Sequence, residues 1–236
     1  MATLLYHWNF TGGNLNLNEA IYDSESNLSA VLKSRGTVTS SGYSRGDNGI
    51  TLNNNDSTNG GYYIELEGLN TVGWGGNISI EMVIQNDELT VSGGSNKKSL
   101  YFSSTTAEGE LTTNGASLVA RFGGGKTKFL ARPDATSNVT YGSSNPPYRN
   151  VNETSNTVVE QGTEHHYIFS VEYDSSTGSS LKIYIDGDEK GENTTDLEKA
   201  LTNDFRGSNI IGTNKDDSNT TYLKGVVKYL KIYQNS

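Results

Sequence analysis

Apolar side chains recur at every second residue from one end of this chain to the other. In Asn77–Gln85, Ile78, Ile80, Met82 and Ile84 fall on one side; Asn77, Ser79, Glu81 and Gln85 fall on the other, with Val83 the exception. His166–Asp174 sets Tyr167, Phe169, Val171 and Tyr173 on one face, and Leu181–Asp186 alternates Leu181, Ile183 and Ile185 with Lys182, Tyr184 and Asp186. Successive side chains of a strand point to opposite sides of a sheet, so each stretch reads as a half-buried antiparallel strand. Shorter stretches of the same kind run over 4–10, 49–52, 61–66, 99–103, 116–122, 126–132, 209–212 and 222–234. Asp186-Gly187 closes one alternating run with residues that tolerate the positive φ of a tight hairpin. Only Thr194–Leu201 reads as helix, for a turn or two. The pattern predicts a two-sheet sandwich of about 11–13 strands.

Such a chain folds with little apolar material because each strand buries only alternate residues. Hydrophobic residues make up 33% of the 236, and 27 glycines with abundant Asn, Ser and Thr supply the turns. The 14 Tyr, 6 Phe and 2 Trp are too many aromatics for a solvated coil. No apolar run approaches the ~18 residues of a membrane-crossing helix, so membrane insertion is not expected. The net charge is −9, with no concentrated basic surface to gain from counterion release, which argues against nucleic acid as a partner. The absence of cysteine excludes disulfides and thiolate metal sites. Met1–Trp8 has neither the basic region nor the apolar core of a secretory leader. Strand density is even and no linker divides the chain, so 1–236 reads as one domain. The region Pro133–Asn156 carries all three prolines and reads as a long polar loop.

Several segments, in order, resemble the laminin-G-like domains of the concanavalin-A-like lectin/glucanase superfamily. They are His7-Trp-Asn-Phe-Thr with Ala20-Ile-Tyr-Asp, then Gly49-Ile-Thr-Leu and Tyr62-Tyr-Ile-Glu-Leu. Gly75-Gly-Asn-Ile-Ser-Ile-Glu-Met-Val-Ile is next, then Gly162-Thr-Glu-His-His-Tyr-Ile-Phe-Ser-Val, where Glu164 replaces the family's usual Trp. Leu181-Lys-Ile-Tyr-Ile-Asp-Gly, Ile211-Gly-Thr and Tyr222-Leu-Lys-Gly…Leu230-Lys-Ile-Tyr complete the series. The resemblance implies an all-β concanavalin-A-like jelly roll of two antiparallel sheets, with its first and last strands side by side. It also implies binding of glycans or proteins, often beside a calcium ion.

The residues themselves do not point to catalysis. Superfamily hydrolases place carboxylates on one strand face as Glu-x-Asp-x-x-Glu, and this string is absent; Glu65 with Glu67, and Glu172 with Asp174, are the nearest approximations and read as charged solvent faces. A lyase-like Tyr and His set lacks its Gln-x-His partner. His165 and His166 are adjacent on a strand and face opposite ways, so they cannot share one ion. Calcium wants several oxygens on a Gly/Asn-rich turn, and Asp23, Asp47, Asp56 and above all the Asp216-Asp217 pair are the candidate donors. Sugar binding needs an aromatic platform beside planar polar groups. Trp74 sits in the glycine-rich Val72-Gly-Trp-Gly-Gly, where exposure is expected, and Tyr148 with Arg149, joined by Tyr141, forms a second candidate wall.

The reading is a non-catalytic carbohydrate-binding module, assisted by calcium, meeting a glycan or glycoprotein on a cell surface. Its expected setting is extracellular, on a cell or virion surface. The alternatives are a structural or protein–protein module of such an assembly, and an unrecognised glycosidase or polysaccharide lyase.

Overall fold

The alternating segments pair into two eight-stranded antiparallel sheets packed face to face, a jelly-roll sandwich. The computed structural model describes residues 1–38, 42–54, 60–88, 97–104, 117–123, 126–132, 149–152, 160–174, 176, 178–193, 205–213 and 222–236. In chain order the strands are β1 (Thr3–Asn9), β2 (Ala20–Tyr22), β3 (Ser29–Arg35), β4 (Tyr43–Gly46), β5 (Gly49–Asn53) and β6 (Gly61–Glu65). Then come β7 (Ile78–Asn86), β8 (Lys97–Ser103), β9 (Ser117–Gly123), β10 (Lys126–Arg132) and β11 (Arg149–Asn152). The last are β12 (Glu164–Asp174), β13 (Gly178–Ile185), β14 (Asp188–Asn193), β15 (Ser208–Ile211) and β16 (Lys224–Gln234).

The first sheet runs β14-β13-β12-β7-β16. Beyond β16, β5 pairs with its first half and β1 with its second, and β4 lies outside β5. The first and last strands therefore lie together, from Thr3 opposite Gln234 to Asn9 opposite Tyr229. The second sheet runs β11-β10-β9-β8-β15-β6-β3-β2.

The core sits between the sheets and is built where alternation is cleanest. Ile80 of β7 faces Phe169 of β12 and Ile232 of β16, and Met82 faces Tyr167 and Leu230. All six are 0–1% exposed. Fully burying a side chain of this size contributes about 1.5–3 kcal/mol, so this inner ladder outweighs any polar contact on the surface.

Sixteen strands are present among the described residues, more than the alternation predicts. The additional ones are those whose sequences show no sustained apolar alternation. β14 (DEKGEN) and β4 (YSRG) are edge strands with little apolar material, and β3 buries Ala30, Val31 and Leu32 in succession. Within the expected loop Pro133–Asn156, Arg149–Asn152 instead forms edge strand β11 on β10. Glu67 leaves the strand for a 3₁₀ turn over Glu67–Thr71, so it does not share a strand face with Glu65. The expected helix Thr194–Leu201 lies outside the described residues.

Asp186 and Gly187 both have positive φ (54° and 90°), the backbone of a primed hairpin turn joining β13 to β14. At Gly49, φ is 113° and an added Cβ would run into the carbonyl oxygen of Val227 on the neighbouring β16. Strain and steric conflict act together there. Gly49→Ala is expected to destabilise the fold by about 2 kcal/mol or more, seen as a lowered Tm; an unchanged Tm would show that β5 and β16 separate freely.

Candidate functional site

Trp74 is buried, not exposed as its glycine-rich setting suggests. Only 3% of it meets solvent. Its ring stands edge-on to Phe102 at 5.0 Å and packs at 5.2 Å against Phe205. Its Nε1–H donates to the carbonyl of Phe205 at 2.8 Å, and the Phe205 amide donates back to the Trp74 carbonyl at 3.1 Å. The glycines on either side let the backbone bend enough to drive the indole inward, which explains why a turn hides so large a side chain.

Trp74 still belongs to the wall of an open space. A cavity of about 530 Å³ lies between the start of β1, the Gly73-Trp74-Gly75 loop and Arg206, and it is also lined by Leu5, Tyr6 and Gln234. A pocket of this size suits a small ligand or one to two sugar rings. Burial, reinforced by the Asp23 carboxylate, raises the Tyr6 phenol above its ordinary value, so its hydroxyl remains a donor at neutral pH. Gln234 is held in place by donating from Nε2 to the Asn77 carbonyl at 2.6 Å. Among the described residues, no carboxylate lines the cavity. Tyr6, Arg206 and Gln234 did not stand out in the sequence. Tyr6 and Gln234 belong to strands whose alternation marks them only as half-buried, and Arg206 follows no periodic pattern.

The other candidate residues separate from this place. Arg149 opens β11 opposite Ala131. Tyr141, Tyr148, Asp216 and Asp217 lie outside the described residues. Asp23, an expected calcium donor, takes part in local hydrogen bonds. It is 3% exposed, and its two carboxylate oxygens accept from the His7 amide and from the amide and hydroxyl of Ser26. These bonds tie the turn after β2 to β1 and leave the carboxylate committed to backbone. Among the described residues, no three His, Asp or Glu side chains converge as a metal site would need.

A second polar constellation lies on the outer face of the first sheet. Glu81 Oε1 accepts from Tyr229 Oη at 2.8 Å and Lys231 Nζ at 3.0 Å, with His166 Nε2 at 3.1 Å; Oε2 accepts from Tyr233 Oη at 2.5 Å. Burial pushes this carboxyl up, but the bonds from Tyr233, Tyr229, Lys231 and His166 more than reverse the effect and hold it at about 2. A group so saturated neither gives nor takes a proton near neutrality, and it acts as a fixed anchor for two phenols and a lysine. As expected of adjacent strand residues, His165 turns the other way and pairs through Nδ1 with Asp186 at 2.7 Å.

A family model described as the concanavalin A-like lectin/glucanases superfamily, of laminin G type, matches residues 62–236. The chain belongs to this superfamily. Solved structures share the fold. A mutant Trypanosoma rangeli sialidase displaying trans-sialidase activity superposes with a TM-score of 0.59 at 12% identity, over 98% of this chain and 30% of that one. The chain thus spans about a third of the length of that enzyme. The endo-1,3-β-glucanase of Streptomyces sioyaensis gives a TM-score of 0.53 at 14% identity, over 98% and 96% of the two chains. At these identities the likeness is one of fold, and fold does not fix activity. No curated protein sequence matches the chain. No helix among the described residues is long and apolar enough to cross a membrane.

The Glu81 anchor makes stability depend on pH. A carboxylate whose folded pKa is depressed stabilises the fold fully above its unfolded value, near 4.5, and loses that contribution as pH falls toward about 2. The increment is on the order of 2–3 kcal/mol. Glu81→Gln is expected to lower Tm at pH 7 and to flatten the Tm–pH curve between those limits; a variant curve parallel to the wild type would contradict the anchoring role.

Proposed function

We propose that this chain is a carbohydrate-recognition module that holds a glycan in the Trp74 cavity and performs no chemistry on it. The observation that carries this reading is the lining itself. Two aromatic residues, Tyr6 and Trp74, line it together with Gln234 and Arg206, and these residue types pack against a sugar ring or hydrogen-bond its hydroxyls. Glycoside hydrolysis by the usual route needs two carboxyl groups flanking the bond, one of them able to carry a proton. Among the described residues the cavity offers none, and Glu81, with four donors around it, is held too low to serve as a general acid near neutrality. The superfamily's name covers both lectins and glucanases, and its glycan-directed character agrees with a sugar ligand. The setting that follows is a surface bearing glycans, outside a cell. The proposed recognition does not call on calcium.

The test is a glycan microarray with the purified chain, followed by titration of the best hits. Tyr6→Phe removes only the phenol hydroxyl and Gln234→Ala only the amide. Each is expected to weaken binding about threefold to tenfold, the worth of one hydrogen bond. Tyr22→Ala, at a side chain 59% exposed and outside the cavity lining, should leave affinity unchanged. Hits that bind both cavity variants as tightly as the parent would place the sugar elsewhere.

A further inference from the structure

We infer that a β-bulge at Leu5 builds one wall of the Trp74 cavity: it turns Leu5 and Tyr6, neighbours in sequence, to the same side, and makes Leu5 a residue on which the bound glycan depends. The inference rests on the glycan reading above and names the device that shapes its site.

The register of β1 against β16 carries the argument. Thr3 and Leu4 lie opposite Gln234 and Tyr233, whereas Tyr6, His7 and Trp8 lie opposite Ile232, Lys231 and Leu230. Leu5 therefore has no counterpart on β16. Directly opposed residues of an antiparallel pair share a face. Tyr6 and Trp8 accordingly face inward with Ile232 and Leu230, both fully buried, and their rings approach to 5.8 Å. Leu4 takes the outer face with Tyr233, whose hydroxyl donates to Glu81 there.

An unbroken strand would give a different wall. Leu4 and Tyr6 would share a face and Leu5 would point the opposite way. Continuing the register of Tyr6 and Trp8 would also set Leu4 opposite Gln234, an apolar side chain against the amide that lines the cavity. The extra residue prevents this. Leu4 goes outward, and Leu5 joins Tyr6 among the lining residues. Bulges re-aim side chains in this way beside binding sites, and they bend the strand that carries them.

Among the described residues β1 pairs with β16 alone, so it is an edge strand. A bulge on an edge also discourages pairing with another chain. That role needs only the extra backbone residue and is indifferent to its side chain. The role in the cavity depends on the side chain, and this difference separates the two.

The experiment titrates the intact chain with the glycan that scores highest on the array. Leu5→Lys is expected to lower affinity about tenfold or more, because a charged side chain then occupies the wall and resists desolvation. Leu4→Lys, on the outer face, should leave affinity within about twofold, as should Leu5→Met, which keeps the size and apolarity of the wall. Deleting Leu5 leaves Leu4 opposite Tyr233 and restores regular pairing, so Tm should hold or rise while affinity falls about tenfold. The two lysine variants decide the matter if the deletion does not fold. A loss from Leu4→Lys as large as that from Leu5→Lys, or a folded deletion variant with parental affinity, overturns the inference while the glycan reading stands. A blank array, or affinity insensitive to Tyr6→Phe, Gln234→Ala and Leu5→Lys alike, overturns both.

Discussion

Everything in this fold depends on β7 being paired on both sides by strands remote from it in sequence. β12 and β16 join it about 80 and 150 residues later. Their inward faces, Ile80 and Met82 against Phe169, Tyr167, Leu230 and Ile232, form a dry ladder at the centre of the first sheet. One-third apolar content suffices because the inward faces of the strands hold most of the large apolar side chains. A register slip of one residue would turn Ser79 and Glu81 into the core and Ile80 and Met82 into solvent, so the pairing is strongly specified.

The same alternation makes the outer face of β7 polar, and Glu81 turns that requirement into a second lock. Its carboxylate gathers Tyr229, Lys231 and Tyr233 from β16 and His166 from β12, so the strands that meet through the core also meet through one anion outside it. The two faces of β7 hold the same three strands by different physics, apolar burial inside and charge-assisted hydrogen bonds outside.

The cavity is a by-product of how the sandwich closes at one end. β1 lies beside β16 and brings Tyr6 near Gln234, while Trp74, driven inward, takes hold of Phe205 and so fixes Arg206 at the rim. Tyr6, Trp74, Arg206 and Gln234 are each far from the others in sequence. Arg206 is a surface residue with no periodic mark, and its place beside the cavity comes from two hydrogen bonds between Trp74 and Phe205, one from the indole and one between backbones, 131 residues apart in the chain.

The sequence by itself determined the all-β class, the central strands, the opposite orientations of His165 and His166, the Asp186-Gly187 hairpin and the superfamily. These depend on local chemistry, namely two-residue periodicity, turn dihedrals and ordered motifs, which composition along the chain displays directly. Tertiary structure alone decided that Trp74 packs inward, that Asp23 accepts from the His7 and Ser26 amides, and that edge strands such as β11 and β14 exist at all. Burial of an indole, the partners of a carboxylate and the pairing of a polar edge strand are each set by what comes to lie beside them. For this chain those neighbours are brought together by long-range strand pairing and leave no trace in local periodicity.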